Sequence, residues 1–176
     1  MNVYFVRHGK TKMNEQGLIQ GSSNISLSEL GIKEAKIAKE KLKDIHFDMC
    51  ISSPLKRTLQ TASIIVDGKC KIIIDDRLVE RKMGIFEGTN HDDYAKGNYW
   101  DLLLDSDLNG VEKVSDLLKR ANDFLSYLKS LNCKNVLIVS HAAIIRALYF
   151  NIIGYDENTK FLSFKPQTSG IYKLKI

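Results

Sequence analysis

The sequence predicts an α/β fold, a three-layer sandwich in which helices cover both faces of a mostly parallel central sheet. Short apolar runs alternate along the chain with segments whose apolar residues recur at helical spacing, which is typical of parallel strands joined by helices. Two of the runs end in a histidine, as expected where parallel strands finish at one edge of a sheet. The 176 residues contain no repeat and only two prolines, so we expect a single domain over 1–176.

The apolar runs give the expected strands. The first run ends in Arg7-His8-Gly9, and a later, fully apolar run ends in Ser140-His141. The last two runs are interpreted as a closing pair of strands. In chain order the predicted strands cover residues 2–6, 47–52, 71–74, 136–139, 161–164 and 171–176.

Four segments have the periodicity of amphipathic helices. They cover residues 28–43, 54–66, 112–131 and 143–153. Ser26 with Glu29 resembles a capping box before the first helix, and Ser53-Pro54 resembles the cap and first turn of the second.

Residues 88–110 are irregular and are expected to form a short cap-like segment. This segment contains three aromatic residues, Tyr94, Tyr99 and Trp100. Two interpretations of them are open: a wall that faces the substrate, and packing within the segment itself.

Composition narrows the range of partners. Lys and Arg number 26 against 21 Asp and Glu, a formal excess of five positive charges. In residues 28–43 the lysines are interspersed with glutamates, which indicates a solvated helix face rather than a nucleic-acid-binding stripe.

Three cysteines, no signal-peptide pattern and no long apolar stretch predict a cytoplasmic protein with reduced thiols and no membrane association. The sequence carries no signal for an oligomeric state.

The two strand-end histidines and nearby arginines suit the chemistry of a phosphomonoester. Guanidinium groups of Arg7 and Arg57 can bind phosphate oxygens in bidentate fashion, and Arg57 falls in a first helical turn, where free amides favour an anion. The neutral imidazole of His8 could attack phosphorus while a protonated His141 stabilises charge on the oxygens. A departing alkoxide needs a proton, so the pocket also requires a carboxyl group.

Arg7 and His8 lie in a run, VRHGKTKMN at residues 6–14, that resembles the signature of the histidine phosphatase superfamily, which includes the cofactor-dependent phosphoglycerate mutases. Five further blocks resemble that family in the family's order and extend the resemblance over about five-sixths of the chain. They are LIQG, LSELGIKEA, SSPLKRTLQTA, LVERKMGIFEG and VSHAAIIRAL, at residues 18–21, 27–35, 52–62, 78–88 and 139–148. The resemblance implies a phosphoglycerate mutase-like α/β fold.

The resemblance also implies roles for individual residues. It makes His8 the nucleophile, and it makes Glu80 the proton donor and later the base. Phosphate would be held by Arg7, Arg57 and His141, with Asn14 contacting the transferred group. Two more matches, Gln20 and Arg81, fall at positions that often touch substrate in the family. One departure is Ala142, which stands where the family usually has a glycine.

Other classes of enzyme fit the sequence poorly. A thiolate phosphatase needs five residues between its cysteine and arginine, and six separate Cys50 from Arg57. No two of the four histidines lie near each other in sequence, so no metal site is expected. A glycine-rich strand-to-helix turn for a dinucleotide is lacking. We therefore expect no metal and no cofactor.

The predicted function is a metal-independent phosphomonoester hydrolase that acts on small phosphorylated metabolites through a phosphohistidine. Only 60 residues separate Glu80 from His141, which leaves little chain to exclude water from the intermediate and favours hydrolysis. Two alternatives stay open. One is a phosphoglycerate mutase-type phosphotransferase, and the other is a non-catalytic module that binds a phosphorylated ligand.

Overall fold

The computed structural model describes residues 1–91, 94, 99–104 and 107–176. Within these ranges five strands form one sheet in the order β3-β2-β4-β1-β5. The strands are β1 (Asn2–Arg7), β2 (Met49–Ser52), β3 (Ile72–Ile74), β4 (Asn135–Ser140) and β5 (Ile171–Lys175). The first four are mutually parallel and β5 is antiparallel to β1, so the predicted mostly parallel sheet is confirmed.

Five α-helices are described in the same part of the chain. They are α1 (Lys12–Glu15), α2 (Glu29–Leu42), α3 (Lys56–Val66), α4 (Val114–Ser130) and α5 (Ala142–Ile153). The four predicted helices correspond to α2 to α5, and α1 is a single turn too short to show a period. None of the described helices is long and apolar enough to cross a bilayer.

Side chains alternate along each strand, and the sheet therefore contributes to two cores. On one face, strand residues pack against α4 and α5; these are Val3, Phe5, Ile51, Val136 and Ile138. On the other face, strand residues pack against α2 and α3; these are Tyr4, Val6, Cys50, Leu137 and Val139. Helices thus cover both faces, and the predicted three-layer arrangement is confirmed.

The predicted strand over 161–164 is wrong. Residues Phe161–Ser163 form a 3-10 helix instead. The Phe161 ring is 1% exposed and lies edge-on to Phe150, with the ring centroids 5.0 Å apart. A run of four residues is too short to distinguish a strand from a buried turn, and burial of this one ring accounts for its apolar character.

Both predicted helix caps also need correction. The cap of α2 is Ser28, whose Oγ accepts from the Gly31 amide, rather than Ser26. Helix α3 begins at Lys56 after Leu55, without a side-chain cap. The hydroxyl of Ser53 lies 2.9 Å from a ring nitrogen of His141, and it therefore belongs to the site at the strand ends.

Candidate functional site

The carboxyl ends of the adjacent inner strands β1 and β4 bring His8 and His141 together. Strand β1 ends at Arg7 and pairs in parallel with β4, so that Arg7 lies opposite Ser140. The His8 amide continues the ladder by donating to the Ser140 carbonyl at 2.9 Å. The two imidazole rings lie on the same side of the sheet edge, with centroids 5.1 Å apart.

His8 is a buried, neutral imidazole with a defined tautomer. Its Nδ1 lies 2.8 Å from the Gly9 carbonyl, which can only accept, so Nδ1 carries the proton. Its Nε2 lies 3.3 Å from Arg57 Nε, which can only donate. Burial, followed by the charges of Arg57 and Arg7, lowers the pKa of His8 well below 6.5. Nε2 is therefore the unprotonated nitrogen, and its lone pair, which faces Arg57, could serve as the nucleophile.

His141 lies beside His8 and is also a buried imidazole. Its Nδ1 accepts from Arg57 Nε at 3.2 Å, and its Nε2 lies 2.9 Å from Ser53 Oγ. Burial, followed by the charges of Arg57 and His8, lowers the pKa of His141 well below 6.5. A fully buried ring beside a guanidinium resists a second charge, so this environment favours the neutral ring, and the protonated His141 expected from the sequence stays a prediction.

Arg57 lies between His8 and His141, and these three residues form the floor of the site. The Arg57 side chain is fully buried, and its Nε bridges the two histidines. Its terminal nitrogens donate to the carbonyls of Gly21, at 2.8 Å, and Ser23. Burial lowers the pKa of Arg57 to about 10, so it stays cationic at neutral pH. Arg57 thus supplies fixed positive charge between both imidazoles.

Loop 21–23 is held from its other side by Glu87. The carboxylate of Glu87 accepts from the amide and hydroxyl of Ser22 and from the hydroxyl of Ser23. Gly21 has a φ of +49°, and a Cβ there would lie 2.0 Å from Glu87 Oε1, so only glycine fits. The motifs did not reveal this role of Glu87, which in sequence resembles an ordinary surface carboxylate.

Glu80 is positioned at the opposite wall by backbone amides. Its Oε1 accepts from the amides of Arg81, at 2.9 Å, and Ala143, at 3.1 Å, the latter in the first turn of α5. Two carboxylates close to Glu80 in sequence have different environments: Asp75 is paired with Arg77, and Asp76 is exposed. Among the described residues, Glu80 is the carboxylate that lines the same cavity as His8.

This cavity has a volume of about 280 Å³. Its wall includes six of the eight residues that sequence reasoning assigned to the site, namely Arg7, His8, Asn14, Gln20, Arg57 and Glu80. The other two are fully buried behind the wall. His141 supports the floor through Arg57, and Arg81 donates to Glu112 O at 2.7 Å and Tyr94 OH at 3.2 Å.

Three of the lining side chains have donors to offer. Arg7 donates Nη1 to the Pro166 carbonyl at 2.9 Å, while its buried Nε has no hydrogen bond to any described residue. Asn14 is oriented by accepting from the Thr11 amide through Oδ1, which leaves Nδ2 without a partner in the described chain. Gln20 Oε1 accepts from the Thr11 hydroxyl, and the donor of this side chain is its amide Nε2. These donors suit the oxygens of an anion.

Of the three aromatic residues Tyr94, Tyr99 and Trp100, two form part of the wall. Tyr94 and Trp100 line the cavity, whereas Tyr99 stacks on Tyr94 with centroids 5.0 Å apart. The guanidinium groups of Arg81 and Arg146 lie 4.7 Å and 4.5 Å from the centre of the Trp100 ring. Sequence reasoning missed Arg146, although its charge within the apolar run AAIIRAL was a visible signal.

No group of three or more potential metal ligands from His, Cys, Asp and Glu occurs within residues 1–91, 94, 99–104 and 107–176. Positive charge in the cavity comes from guanidinium and ammonium groups.

Comparisons with known proteins show which proteins this chain resembles. Residues 3–176 match the family model described as “Histidine phosphatase superfamily (branch 1)”. “Probable phosphoglycerate mutase GpmB” of Erwinia tasmaniensis is 34% identical over 168 residues, covering 91% of this chain and 78% of that protein. “Phosphoserine phosphatase 1” of Hydrogenobacter thermophilus is 31% identical over 172 residues, covering 93% and 81%. A crystal structure of phosphoserine phosphatase from Entamoeba histolytica, in complex with 3-phosphoglyceric acid, superposes with a TM-score of 0.82 at 28% identity, covering 98% and 89%.

Proposed function

The chain belongs to the histidine phosphatase superfamily, and from this premise we propose that it hydrolyses small phosphomonoesters through a phosphohistidine on His8, without a metal ion. The observation that carries the proposal is the tautomer of His8. Its Nε2 lone pair lies beside Arg57 in a cationic cavity whose wall also contains Glu80.

In the first step, His8 Nε2 forms a bond to phosphorus as the ester P–O bond breaks. Arg7, Arg57 and Asn14 bind the phosphoryl oxygens and stabilise the charge that develops on them. The leaving oxygen takes a proton from Glu80, which must therefore enter this step in its carboxylic acid form. Loss of the alcohol leaves phosphohistidine and a Glu80 carboxylate.

In the second step, water attacks the phosphohistidine. The Glu80 carboxylate removes a proton from the water as the new P–O bond forms and the P–N bond breaks. Inorganic phosphate departs, and both His8 and Glu80 return to their starting protonation states. His141 acts as a neighbour that fixes Arg57, with its own ring oriented by Ser53.

The named relatives support substrates of small size. They include a phosphoserine phosphatase, and the related structure from Entamoeba histolytica holds 3-phosphoglyceric acid. We propose that the substrate of this chain is likewise a small phosphorylated metabolite. The three cysteines are free thiols, which supports our further proposal of a cytoplasmic location.

A mutase-type phosphotransferase is the second candidate, because the relative from Erwinia tasmaniensis bears a mutase name. Hydrolysis is favoured by the exposed rim of the cavity, where Leu162, Lys165 and Gln167 lie open to water. Incubation with 3-phosphoglycerate distinguishes the two: a hydrolase releases inorganic phosphate, whereas a mutase forms the 2-phospho isomer at a comparable rate.

Hydrolysis of p-nitrophenyl phosphate in the presence of a chelator tests the proposal. We expect turnover that survives the chelator and falls by about 10⁴-fold or more in His8→Ala, because the nucleophile is lost. His46→Ala is the matched control, since His46 is exposed and outside the cavity. A protein that binds phosphate but has no turnover would instead be the non-catalytic module.

A further inference from the structure

Arg146 is a buried cation on the cavity wall that the proposed chemistry does not use. Only 7% of the residue is exposed. Its Nε donates to the Phe164 carbonyl at 2.8 Å, and its two terminal nitrogens make no hydrogen bond with the described residues. Because a buried charge is costly unless it is paired, these nitrogens indicate a site for an anion.

The guanidinium of Arg146 is also held in place. The Phe164 carbonyl fixes its Nε, and the ring of Trp100 lies 4.5 Å from its central carbon. The same ring lies 4.7 Å from the guanidinium carbon of Arg81, which is itself anchored to Glu112 O. Such a fixed fork loses little conformational entropy when it binds a ligand.

A second cation lies at the same wall. Lys165 lines the cavity from the segment that follows Phe164, and its side chain forms no ion pair with the described residues. With the histidines neutral, the described lining therefore carries four cationic side chains and one carboxyl group, a formal charge of +3 with Glu80 ionised and +4 with Glu80 in the acid form that the first step requires. These are Arg7, Arg57, Arg146 and Lys165 against Glu80.

A phosphomonoester dianion neutralises only two of these positive charges. One positive charge remains with Glu80 ionised and two remain with Glu80 in its acid form, so a further anionic group on the substrate is favoured. A carboxylate supplies one such negative charge. The planar fork of an arginine also matches the two oxygens of a carboxylate.

We propose that Arg146 and Lys165 form a subsite for a carboxylate, and that the substrates are phosphorylated carboxylic acids. This inference rests on the proposed function, which places the phosphate at His8. Arg146 would bind the carboxylate in bidentate fashion, and Lys165 would close over it from the exposed rim.

A pair of ligands that differ only in the carboxylate tests the subsite. In 3-phosphoglycerate the group is a carboxylate, and in glycerol 3-phosphate it is a hydroxymethyl. Binding is measured by calorimetry to the His8→Ala protein, in which no turnover consumes the ligand. The same measurement is made after adding Arg146→Gln, Arg146→Lys, Lys165→Gln or the control Lys36→Gln, which removes an exposed charge on α2 outside the cavity.

We expect 3-phosphoglycerate to bind on the order of 10- to 100-fold more tightly than glycerol 3-phosphate, the range of a charge-assisted bidentate contact. Arg146→Gln should abolish this preference while leaving the affinity for glycerol 3-phosphate within about threefold. Lys165→Gln should reduce the preference several-fold, and Arg146→Lys should retain part of it. Lys36→Gln should leave the preference unchanged.

Equal binding of the two ligands, or no binding of either, would overturn the inference. So would an equal loss of both affinities in a folded Arg146→Gln protein, because that result describes a structural residue. If Arg146→Gln does not fold, the Lys165→Gln protein provides the test, because Lys165 is exposed. An unchanged preference for 3-phosphoglycerate in Lys165→Gln refutes the proposed subsite. Failure of the proposed function appears separately, as carboxylate-selective binding without any phosphate release by the wild-type protein.

Discussion

The floor of the cavity and its rim are built differently. On the floor, His8, Arg57 and His141 are at most 2% exposed, and Arg57 Nε forms hydrogen bonds with both histidines. The rim contains exposed side chains, among them Leu162, which is 48% exposed, and Lys165. The floor thus resembles a protein core, and the rim resembles ordinary surface.

Because of this difference, we expect the floor to determine the chemical step and the rim to determine which substrate binds. The floor lies at the ends of β1 and β4, whose register is set by the two buried faces of the sheet. Changes there should affect every substrate. The rim comes from segments beyond the sheet, so changes there should alter which phosphomonoester binds and leave the chemical step intact.

The largest effect after loss of the nucleophile is expected for Glu80→Gln, which keeps the shape of the side chain and removes the proton. We expect kcat/KM for an alkyl phosphate to fall by about 10²- to 10⁴-fold. The loss should be smaller for p-nitrophenyl phosphate, whose leaving group needs less help from an acid. Asp76→Asn is the control, because it removes an exposed carboxylate nearby. An identical loss for both substrates would contradict the role of Glu80 as a proton donor.

A smaller effect is expected for Ser53→Ala. The hydroxyl of Ser53 orients His141, and its loss leaves a ring nitrogen of His141 without its partner. We expect kcat to fall about tenfold for all substrates, the equivalent of one hydrogen bond. The comparison protein is Ser63→Ala, an exposed serine on α3. Selective loss with one substrate would show that the floor and the rim are not separate.

The buried histidines should also make stability depend on pH. Their folded-state pKa values are lowered, so the unfolded chain binds more protons as the pH falls below 6.5, and the free energy of unfolding decreases there. Between pH 7.5 and 5.5 each histidine contributes a loss of up to about 1.4 kcal/mol. In urea titrations His141→Gln should reduce the pH dependence by about half of the two-histidine total. An unreduced dependence would contradict the neutral, buried state of His141.

The smallest effect is expected at the rim. Leu162→Ala should change kcat/KM by less than about threefold and leave kcat for p-nitrophenyl phosphate within about twofold, because the side chain is half exposed. Leu30→Ala, on α2 outside the cavity, provides the reference. A tenfold fall in kcat would place Leu162 in the chemical step and break the distinction between floor and rim.

The sequence predicted the layers and the cluster at the strand ends, because both depend on patterns that one element displays alone. Helix α4 shows its seven buried residues as a regular apolar face, namely Val114, Leu117, Leu118, Ala121, Phe124, Leu125 and Leu128. His8 and His141 each lie just after an apolar run that forms a strand. Their proximity required only that parallel strands end at one edge.

The unpredicted features depend on contacts between segments that are distant in sequence. Glu87 holds loop 21–23 across more than sixty residues, and no local pattern distinguishes it from an exposed carboxylate. Phe161 is apolar because it packs on Phe150, and a short apolar run alone also fits a strand. The position of Arg146 on the cavity wall is visible only in the structure, where the Trp100 ring lies against its guanidinium.

The chemical fate of His8 during turnover is the most direct test of the mechanism. Protein mixed with a ³²P-labelled substrate is quenched in alkaline denaturant, digested and mapped. We expect label on the peptide that contains His8, stable in alkali, lost in mild acid and formed at least as fast as phosphate is released. Turnover without such label, or acid-stable label on another residue, would contradict the proposed mechanism.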